Sequence, residues 1–567
     1  MGQDQSKPPG PKLPKTIGDK FSDKVFPFEN LVLEGGGAKG IAYIGTCKVL
    51  EDAGIMGQIK RFAGTSAGAI TAALLAIGMT SQELLDELSA QNLLEVVLDT
   101  RWTKSSWIPG MQTVGRLWDV LNERGACPGE KFLEWFGDIL ERNLKKRGLP
   151  LGKDVTFDQI YHVLGKELCI VAYNMNYNRE SYFHVKTTPV LRVREAVRMS
   201  MSIPVVFQPY ELQNLFTYID GGLAANFPLY AFDGWYLSMG KDDTFYKRLT
   251  SLKDDEEHDH LRRVFYPEYR WERFENQDPT RFDKTLGILI FSNSDREVYQ
   301  DQFEERLRYL MNKDLSFKKI RPDTEKARNF TKQYGEQRSE RDAGIKSFET
   351  LVDDRMRKLI ELIAGPDVMD DVDGGTIDVP ETPTMMAADE GFPVPSAAPP
   401  MVAMEVPDEP RITIDEARRH FFEIVKEEDV KAMQAPTKEA AFQALFLDVN
   451  GKLTVERVLN MYENYAPLQV AKRRVLGMRS VKTAGQYYGT LMDFVGSKNQ
   501  ISEEDIDRCI GVDVDYLSTM DFDMTPTDME FLMGQGATAA VAYMTEYVEG
   551  KTLPSRSVLS PPPPPPH

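Results

Sequence analysis

Cysteine and histidine are scarce in this sequence. The chain of 567 residues contains four cysteines and six histidines. The cysteines lie far apart and form no C-x-x-C pair, which excludes a disulfide framework and a cysteine-based metal site of the usual spacing. Isolated cysteines of this kind are typical of reduced thiols. We therefore expect a cytoplasmic protein.

The sequence also lacks long apolar runs. The uncharged stretch 62–82 includes three glycines, and its apolar part is about a dozen residues long, whereas a helix needs about 20 apolar residues to cross a bilayer. Residues 1–20 contain four prolines and lack the apolar centre of a secretory leader. We expect neither a membrane-spanning helix nor a signal peptide.

Basic residues are outnumbered by acidic ones. The chain has 68 Lys and Arg against 87 Asp and Glu, a net charge of -19. This charge argues against nucleic acid as a partner. It also means that attraction to an anionic membrane must come from a local basic patch.

Composition predicts the domain organisation. A chain of this length is too long for one core. Between residues 366 and 410 there are nine prolines, eleven acidic residues and no Lys or Arg, a composition that cannot form a packed core. We expect a flexible arm at 1–29, a first folded domain at 30–364, a disordered linker at 365–410, a separate, mainly helical domain at 411–550 and a Pro-rich tail at 551–567.

The stretch 62–78 contains a G-x-S-x-G pattern centred on Ser66. Gly64 and Gly68 allow a sharp turn between a strand and a helix, and such a turn exposes the serine hydroxyl to a substrate. The positive end of the following helix would stabilise negative charge that develops there. The alternative is a Gly-rich turn that opens a buried helix.

A second Gly-rich stretch, Glu34 to Gly40, follows the short apolar strand 31–33. Its glycines also satisfy G-x-G-x-x-G, but the acidic residue that should close the next strand of a dinucleotide site is missing. Consecutive glycines let backbone N–H groups converge on a small anion. We therefore expect an oxyanion hole from Gly35, Gly36 and Gly37.

Asp220 ends an apolar strand and is followed by Gly221 and Gly222. A carboxylate in this position can be buried while neighbouring N–H groups keep it charged. The alternative is an exposed Asp-Gly-Gly turn.

Four blocks in this order resemble the patatin-like phospholipase family: LVLEGGGAKG, FAGTSAG, LRVREAVRMSMSIPVVFQPY and YIDGGLAANFPL. They extend over about residues 31–230, and we expect residues to near 350 to complete the domain. The resemblance implies a three-layer α/β/α core that hydrolyses acyl esters of lipids through a Ser-Asp dyad.

Carried over residue by residue, the resemblance makes Ser66 the nucleophile and Asp220 the base. Glu34 stands where the family often has Asp, and Gly222 where it often has Ala; neither change removes a reacting group. The motifs also include supporting residues, namely Lys39, Gly40, Gly64, Gly68, Gly221 and Gly222.

The histidines favour a dyad over a triad. A Ser-Asp-His hydrolase places its histidine after the acid, but His258 and His260 lie in a charged stretch and His420 lies beyond the linker. We therefore expect no metal and no other cofactor, and hydrolysis that survives calcium chelation. The alternatives are an acyltransferase, in which an alcohol replaces water, and a lipid-binding scaffold with weak or no activity.

The two ends of the chain suggest how it meets its partners. Gly2 and Ser6 fit the M-G-x-x-x-S pattern of N-terminal myristoylation, which predicts peripheral association with membrane lipid, the substrate. Two stretches near 448–456 and 497–504 are similar to the middle of EF-hand loops but lack calcium ligands. The helical domain and the proline run 561–566 are candidate contacts for a protein partner.

Overall fold

The computed structural model of the chain describes residues 10–89, 125–250, 274, 283–291, 300–332, 355–365, 409–464, 501, 503–519 and 521–550. These residues form two compact units. Unit 1 consists of residues 1–330 and 481–567, and unit 2 of residues 331–480.

Strands and helices alternate through unit 1, and unit 2 is helical. The strands are β1 (Asn30–Leu33), β2 (Arg61–Thr65), β3 (Gly125–Cys127), β4 (Glu167–Asn174), β5 (Arg179–Phe183), β6 (Val205–Phe207), β7 (Tyr210–Leu212), β8 (Phe216–Asp220), β9 (Thr285–Phe291) and β10 (Cys509–Asp513).

The helices are α1 (Ala42–Asp52), α2 (Ala67–Ala76), α3 (Ser81–Ser89), α4 (Glu130–Lys146), α5 (Phe157–Leu164), α6 (Val193–Ser200), α7 (Gly222–Ala225), α8 (Phe245–Thr250), α9 (Gln300–Lys313), α10 (Met356–Ala364), α11 (Ile414–Ile424), α12 (Glu427–Ala432), α13 (Lys438–Phe446), α14 (Val455–Asn464), α15 (Glu503–Ile506) and α16 (Pro526–Gly550).

The eight-stranded sheet of unit 1 has the order β10-β9-β1-β2-β4-β8-β7, with β5 also paired to β4. Strands from β10 to β4 are parallel, whereas β8, β7 and β5 are antiparallel to their neighbours. The two faces of β1 enter separate buried clusters, with Leu31 and Leu33 on one side and Val32 on the other. A sheet buried on both faces is the arrangement expected of a three-layer α/β/α core. The predicted fold class is therefore confirmed.

The predicted extent of the helical domain, residues 411–550, is wrong. Strand β10 pairs with β9 at the edge of the main sheet, and α16 packs on α1 in unit 1. Strand β10 has no local signal for this pairing, because its partner strand is more than 200 residues away along the chain. A fragment that ends in the linker would therefore lack an edge strand of the main sheet and the helix that packs on α1.

Two other predicted boundaries also change. Phe26 and Phe28 are buried and pack on Tyr543 and Tyr547, so the flexible arm cannot extend to residue 29. Helix α10, which was assigned to the first domain, packs in the core of unit 2 with α11 and α14. The predicted tail 551–567 and almost all of the predicted linker 365–410 lie outside the described residues.

Unit 2 contains the first of the two EF-hand-like stretches. Helices α13 and α14 flank it, and Asp448 accepts hydrogen bonds from the backbone N–H groups of Asn450 and Lys452, both at 2.8 Å. Most of the second stretch lies outside the described residues.

Candidate active site

Ser66 lies on the sharp turn between β2 and α2. Its backbone has φ 53° and ψ -120°, a conformation that residues other than glycine rarely adopt. The turn depends on its flanking glycines, because a Cβ on Gly68 would lie 2.4 Å from the carbonyl oxygen of Leu33. Strain of this kind is found at functional sites, where the surrounding structure holds it in place.

A serine outside the predicted site holds this turn. The backbone N–H of Ser66 donates to Ser200 Oγ at 2.9 Å, and the Ser200 hydroxyl donates to the carbonyl of Val171 on β4. Ser200 is buried at the end of α6. It lies within the third family-like block, but nothing in the sequence singled it out from the other serine in that block.

The pairing of strands β2, β4 and β8 brings Asp220 close to Ser66. On β4, Val171 pairs with Thr65 of β2, and the next residue, Ala172, pairs with Asp220 of β8. Strand β4 therefore lies between Asp220 and the Ser66 turn, and the two residues are at the same level of the sheet. Its N–H donates to the carbonyl of Ser202 at 2.9 Å, so the end of α6 contacts both residues.

The carboxyl of Asp220 is buried, and its pKa is raised above the ordinary value. Burial raises the pKa to about 7, against the opposing effects of the Gly222 N–H and the Ser66 hydroxyl. The Gly222 N–H donates to Oδ1 at 2.7 Å. Oδ2 is buried and has no well-aligned hydrogen-bond partner among the described residues. A carboxylate with a free oxygen and a pKa near neutral is suited to accept a proton.

Residues 34–40 form a loop beside Ser66, which we call the oxyanion loop. A Cβ on Gly35 would lie 3.3 Å from Ser66 Cβ. The N–H of Gly35 already donates to the carbonyl of Asn226, and the N–H of Ala38 donates to the carbonyl of Thr519, both at 2.9 Å. Within the described structure, the N–H groups of Gly36 and Gly37 have no partner and are the ones that could receive an anion. Gly35 was predicted to donate its N–H to the oxyanion, but this N–H is already bonded to Asn226.

Asn226 is a second residue missed in the sequence. Its side-chain amide donates to Glu34 Oε1 at 3.0 Å and to the Gly35 carbonyl at 3.2 Å. Glu34 also accepts from the N–H of Ile290 at 2.7 Å. Glu34 therefore ties the start of the oxyanion loop to the end of α7 and to β9.

The remaining predicted residues have supporting positions. Lys39 is half-buried in the 3₁₀ helix Gly37–Ile41, and a Cβ on Gly40 would lie 2.9 Å from Ala67 Cβ. Gly221 lies close to β4, since a Cβ there would be 2.4 Å from the Val171 carbonyl. Gly2 lies outside the described residues.

The described histidines do not contact Ser66 or Asp220. His184 is buried against Glu167 at 3.2 Å, at the opposite end of β4. His162 lies near Asp158 and His420 near Glu423. His258 and His260 lie outside the described part of the chain.

The described residues show neither a cluster of metal-ligating side chains nor a membrane-spanning helix. These residues contain no group of three or more His, Cys, Asp or Glu side chains that could hold a metal ion. None of the helices described is both long and apolar enough to cross a bilayer.

Comparison with known proteins gives a family for the site-bearing segment. The family model described as Patatin-like phospholipase matches residues 31–233. The probable lipid hydrolase 463L of Invertebrate iridescent virus 6 is 30% identical over 210 residues, which are 37% of this chain and 64% of that protein. The uncharacterised protein YqhO of Bacillus subtilis is 36% identical over 217 residues, 35% of this chain and 65% of that protein. The chain thus spans somewhat less than two thirds of either relative.

Similarity to solved structures is more distant. The crystal structure of VipD from Legionella pneumophila is 14% identical, with 89% of this chain and 94% of that chain covered and a TM-score of 0.26. A score this low supports no inference about activity.

Proposed function

We propose that the chain is a lipid acyl hydrolase of the phospholipase A or lysophospholipase kind, because residues 31–233 match the family model described as Patatin-like phospholipase. It cleaves acyl esters through Ser66 and Asp220 by way of an acyl-enzyme intermediate. One observation carries this proposal. A strained, buried Ser66 lies at the same level of the sheet as the buried carboxyl of Asp220, whose pKa is about 7.

The reaction proceeds in two halves. Asp220 takes the proton of Ser66 as Oγ attacks the ester carbonyl, and the N–H groups of Gly36 and Gly37 stabilise the oxyanion. The tetrahedral intermediate collapses, Asp220 returns the proton to the leaving alcohol, and an acyl-Ser66 ester remains. Water then attacks this ester with Asp220 as base, which releases the fatty acid and restores both side chains.

Two other functions fit part of the same site. An acyltransferase would pass the acyl group from Ser66 to an alcohol instead of water. A lipid-binding scaffold would hold lipid without turnover, but it would have no need for a strained serine beside a proton acceptor. The Ser66 conformation therefore favours an enzyme.

The test is to incubate the full chain with a mixed lipid extract and to compare the products with those of Ser66→Ala and Asp220→Asn. We expect each substitution to lower kcat by about 10³-fold or more, and the double variant to be barely worse, because members of a catalytic unit are not additive. Ser22→Ala and Asp242→Asn, on exposed loops of the same unit, serve as controls. Near-normal turnover in Asp220→Asn would rule out the dyad, and acyl transfer to added alcohol without release of free fatty acid would identify the transferase.

We further propose that the protein reaches its substrate by peripheral membrane association through an acyl group on Gly2. Lys7, Lys12 and Lys15 follow within a short distance in the sequence and would add attraction to anionic lipid.

A protein partner for unit 2 or for the proline tail is a separate hypothesis. Capture of partners by the isolated tail peptide would test it for the tail.

A further inference from the structure

A segment outside the family match contacts the oxyanion loop. We propose that residues 513–519 and 521–528, which together we call the C-terminal clasp, position the oxyanion loop and that they act on it through Thr519. This inference rests on the proposed function, because it concerns the same reaction. It assigns a positioning role to a part of the chain that lies almost 300 residues after the family match ends.

The contact is made by one backbone carbonyl. The Thr519 carbonyl accepts the N–H of Ala38 at 2.9 Å. It also lies against Gly37, where a Cβ would be 2.4 Å from the Thr519 oxygen and 2.6 Å from Thr519 Cγ2. Gly37 has φ 54°, a conformation that glycine adopts without strain. The clasp therefore fixes the peptide group that directly follows Gly37, one of the two residues with a free N–H donor.

The start of the clasp is held by β9 and by a charge pair with a buried acid. The N–H of Val514 donates to the carbonyl of Phe291 at 2.9 Å. Asp515 is buried and accepts two hydrogen bonds from Arg321, at 2.8 and 2.7 Å. Paired, two-point contacts of this kind fix geometry as well as charge.

The end of the clasp is held by the same basic segment of the chain. Lys326 Nζ contacts Asp521 at 2.8 Å and Asp523 at 2.7 Å, just beyond Thr519. Asp528 accepts from Thr324 at 2.7 Å and from Tyr516 at 2.6 Å. Residues 319–328 thus fasten the clasp on both sides of Thr519.

Loosening the clasp would move the oxyanion donors rather than the substrate-binding surface. An oxyanion hole acts on the transition state, so a displaced Gly37 N–H lowers kcat and leaves KM nearly unchanged. A misplacement of about 1 Å can cost up to about 100-fold in rate. A merely structural role for the clasp would instead change stability without this separation of kcat from KM.

The experiment compares Lys326→Met with Lys313→Met in the full chain. Lys313 also pairs with an acid of the C-terminal segment, Glu549 at 2.5 Å, but at the far end of α16 and outside the clasp. With a soluble short-chain ester, we expect Lys326→Met to lower kcat by about 10-fold to 100-fold at constant KM, Lys326→Arg to restore most of it, and Lys313→Met to match the wild type.

The outcomes separate this inference from the proposed function. If Ser66→Ala abolishes turnover but Lys326→Met keeps wild-type kcat, the clasp inference is overturned and the proposed function stands. If Ser66→Ala retains turnover, the proposed function itself fails. Should Lys326→Met not fold, the double variant Asp521→Asn with Asp523→Asn removes the same pairs from the other side and must show the same loss of kcat.

Discussion

At the scale of single residues, the decisive feature is the environment of Asp220. A carboxyl that titrates near its ordinary pKa of 3.8 would be a weak base at neutral pH. Burial raises the pKa to about 7, and the Gly222 N–H keeps the charged form accessible. The side chain is therefore a stronger base than an exposed aspartate while it can still lose its proton.

This pKa predicts the pH dependence of hydrolysis. The base acts only when it is charged, so kcat/KM should rise with pH and reach a plateau, with its midpoint near pH 7. A soluble short-chain ester removes any effect of pH on membrane binding. A midpoint near pH 4 would show that Asp220 is not the titrating base.

The same shift predicts a change in stability with pH. Between about pH 4 and 7 the folded chain retains a proton on Asp220 that the unfolded chain has lost, so the free energy of unfolding falls as pH rises through this window. Asp220→Asn cannot titrate there. We expect it to be more stable than the wild type by about 1–3 kcal/mol above pH 7, and the difference to shrink toward pH 4. Thermal unfolding at pH 4.5 and pH 8 measures this; a constant difference would contradict it.

At the scale of elements, the close packing of α1 on α16 supports the oxyanion loop. Helix α1 directly follows that loop, and the hydroxyl of Thr46 donates to the carbonyl of Gly536 at 3.0 Å. A Cβ on Gly536 would lie 2.1 Å from the carbonyl oxygen of Ala42, whereas a Cβ on Gly534 would meet nothing within 4 Å. Two glycines in one helix therefore have different roles.

This difference gives a matched pair of substitutions. Gly536→Ala should lower the free energy of unfolding by about 1–3 kcal/mol, because α1 and α16 must separate to admit the methyl group. Gly534→Ala should raise it by about 0.5–1 kcal/mol through helix propensity alone. Calorimetry of the full chain would measure both. Equal effects of the two variants would mean that the helices are not in close contact.

At the scale of the whole molecule, net charge sets how the protein meets a lipid surface. With a charge of -19, the body of the protein is repelled by anionic lipid. A single myristoyl chain on Gly2 would give an association constant of only about 10⁴ M⁻¹, and each nearby lysine could add about 1 kcal/mol. Membrane binding should therefore be reversible and weakened by salt.

The test of this attachment is Gly2→Ala, expressed in a eukaryotic host. The variant should shift from membrane to cytosol and hydrolyse membrane lipid more slowly, because the acyl chain is lost. Its turnover of a soluble short-chain ester should not change. If partitioning stays the same in cell fractionation, the pattern at Gly2 is a chance match and another surface provides the attachment.

The sequence by itself determined the local parts of the site. The Ser66 turn, the glycines of the oxyanion loop and the Asp220 strand end are short patterns in which neighbouring residues impose the conformation. They also led to the fold class, because the four blocks that contain them resemble a known family and that resemblance implies a three-layer α/β/α core.

Only the tertiary structure decided how these parts are held. Ser200 contacts Ser66 from 134 residues away, and Asn226 reaches Glu34 across 192. Strand β10 and Thr519 come from a stretch that the sequence assigned to another domain. Such contacts use side chains and backbone groups that carry no local pattern, because strand pairing and hydrogen bonding depend on which segments meet in space and not on their distance along the chain.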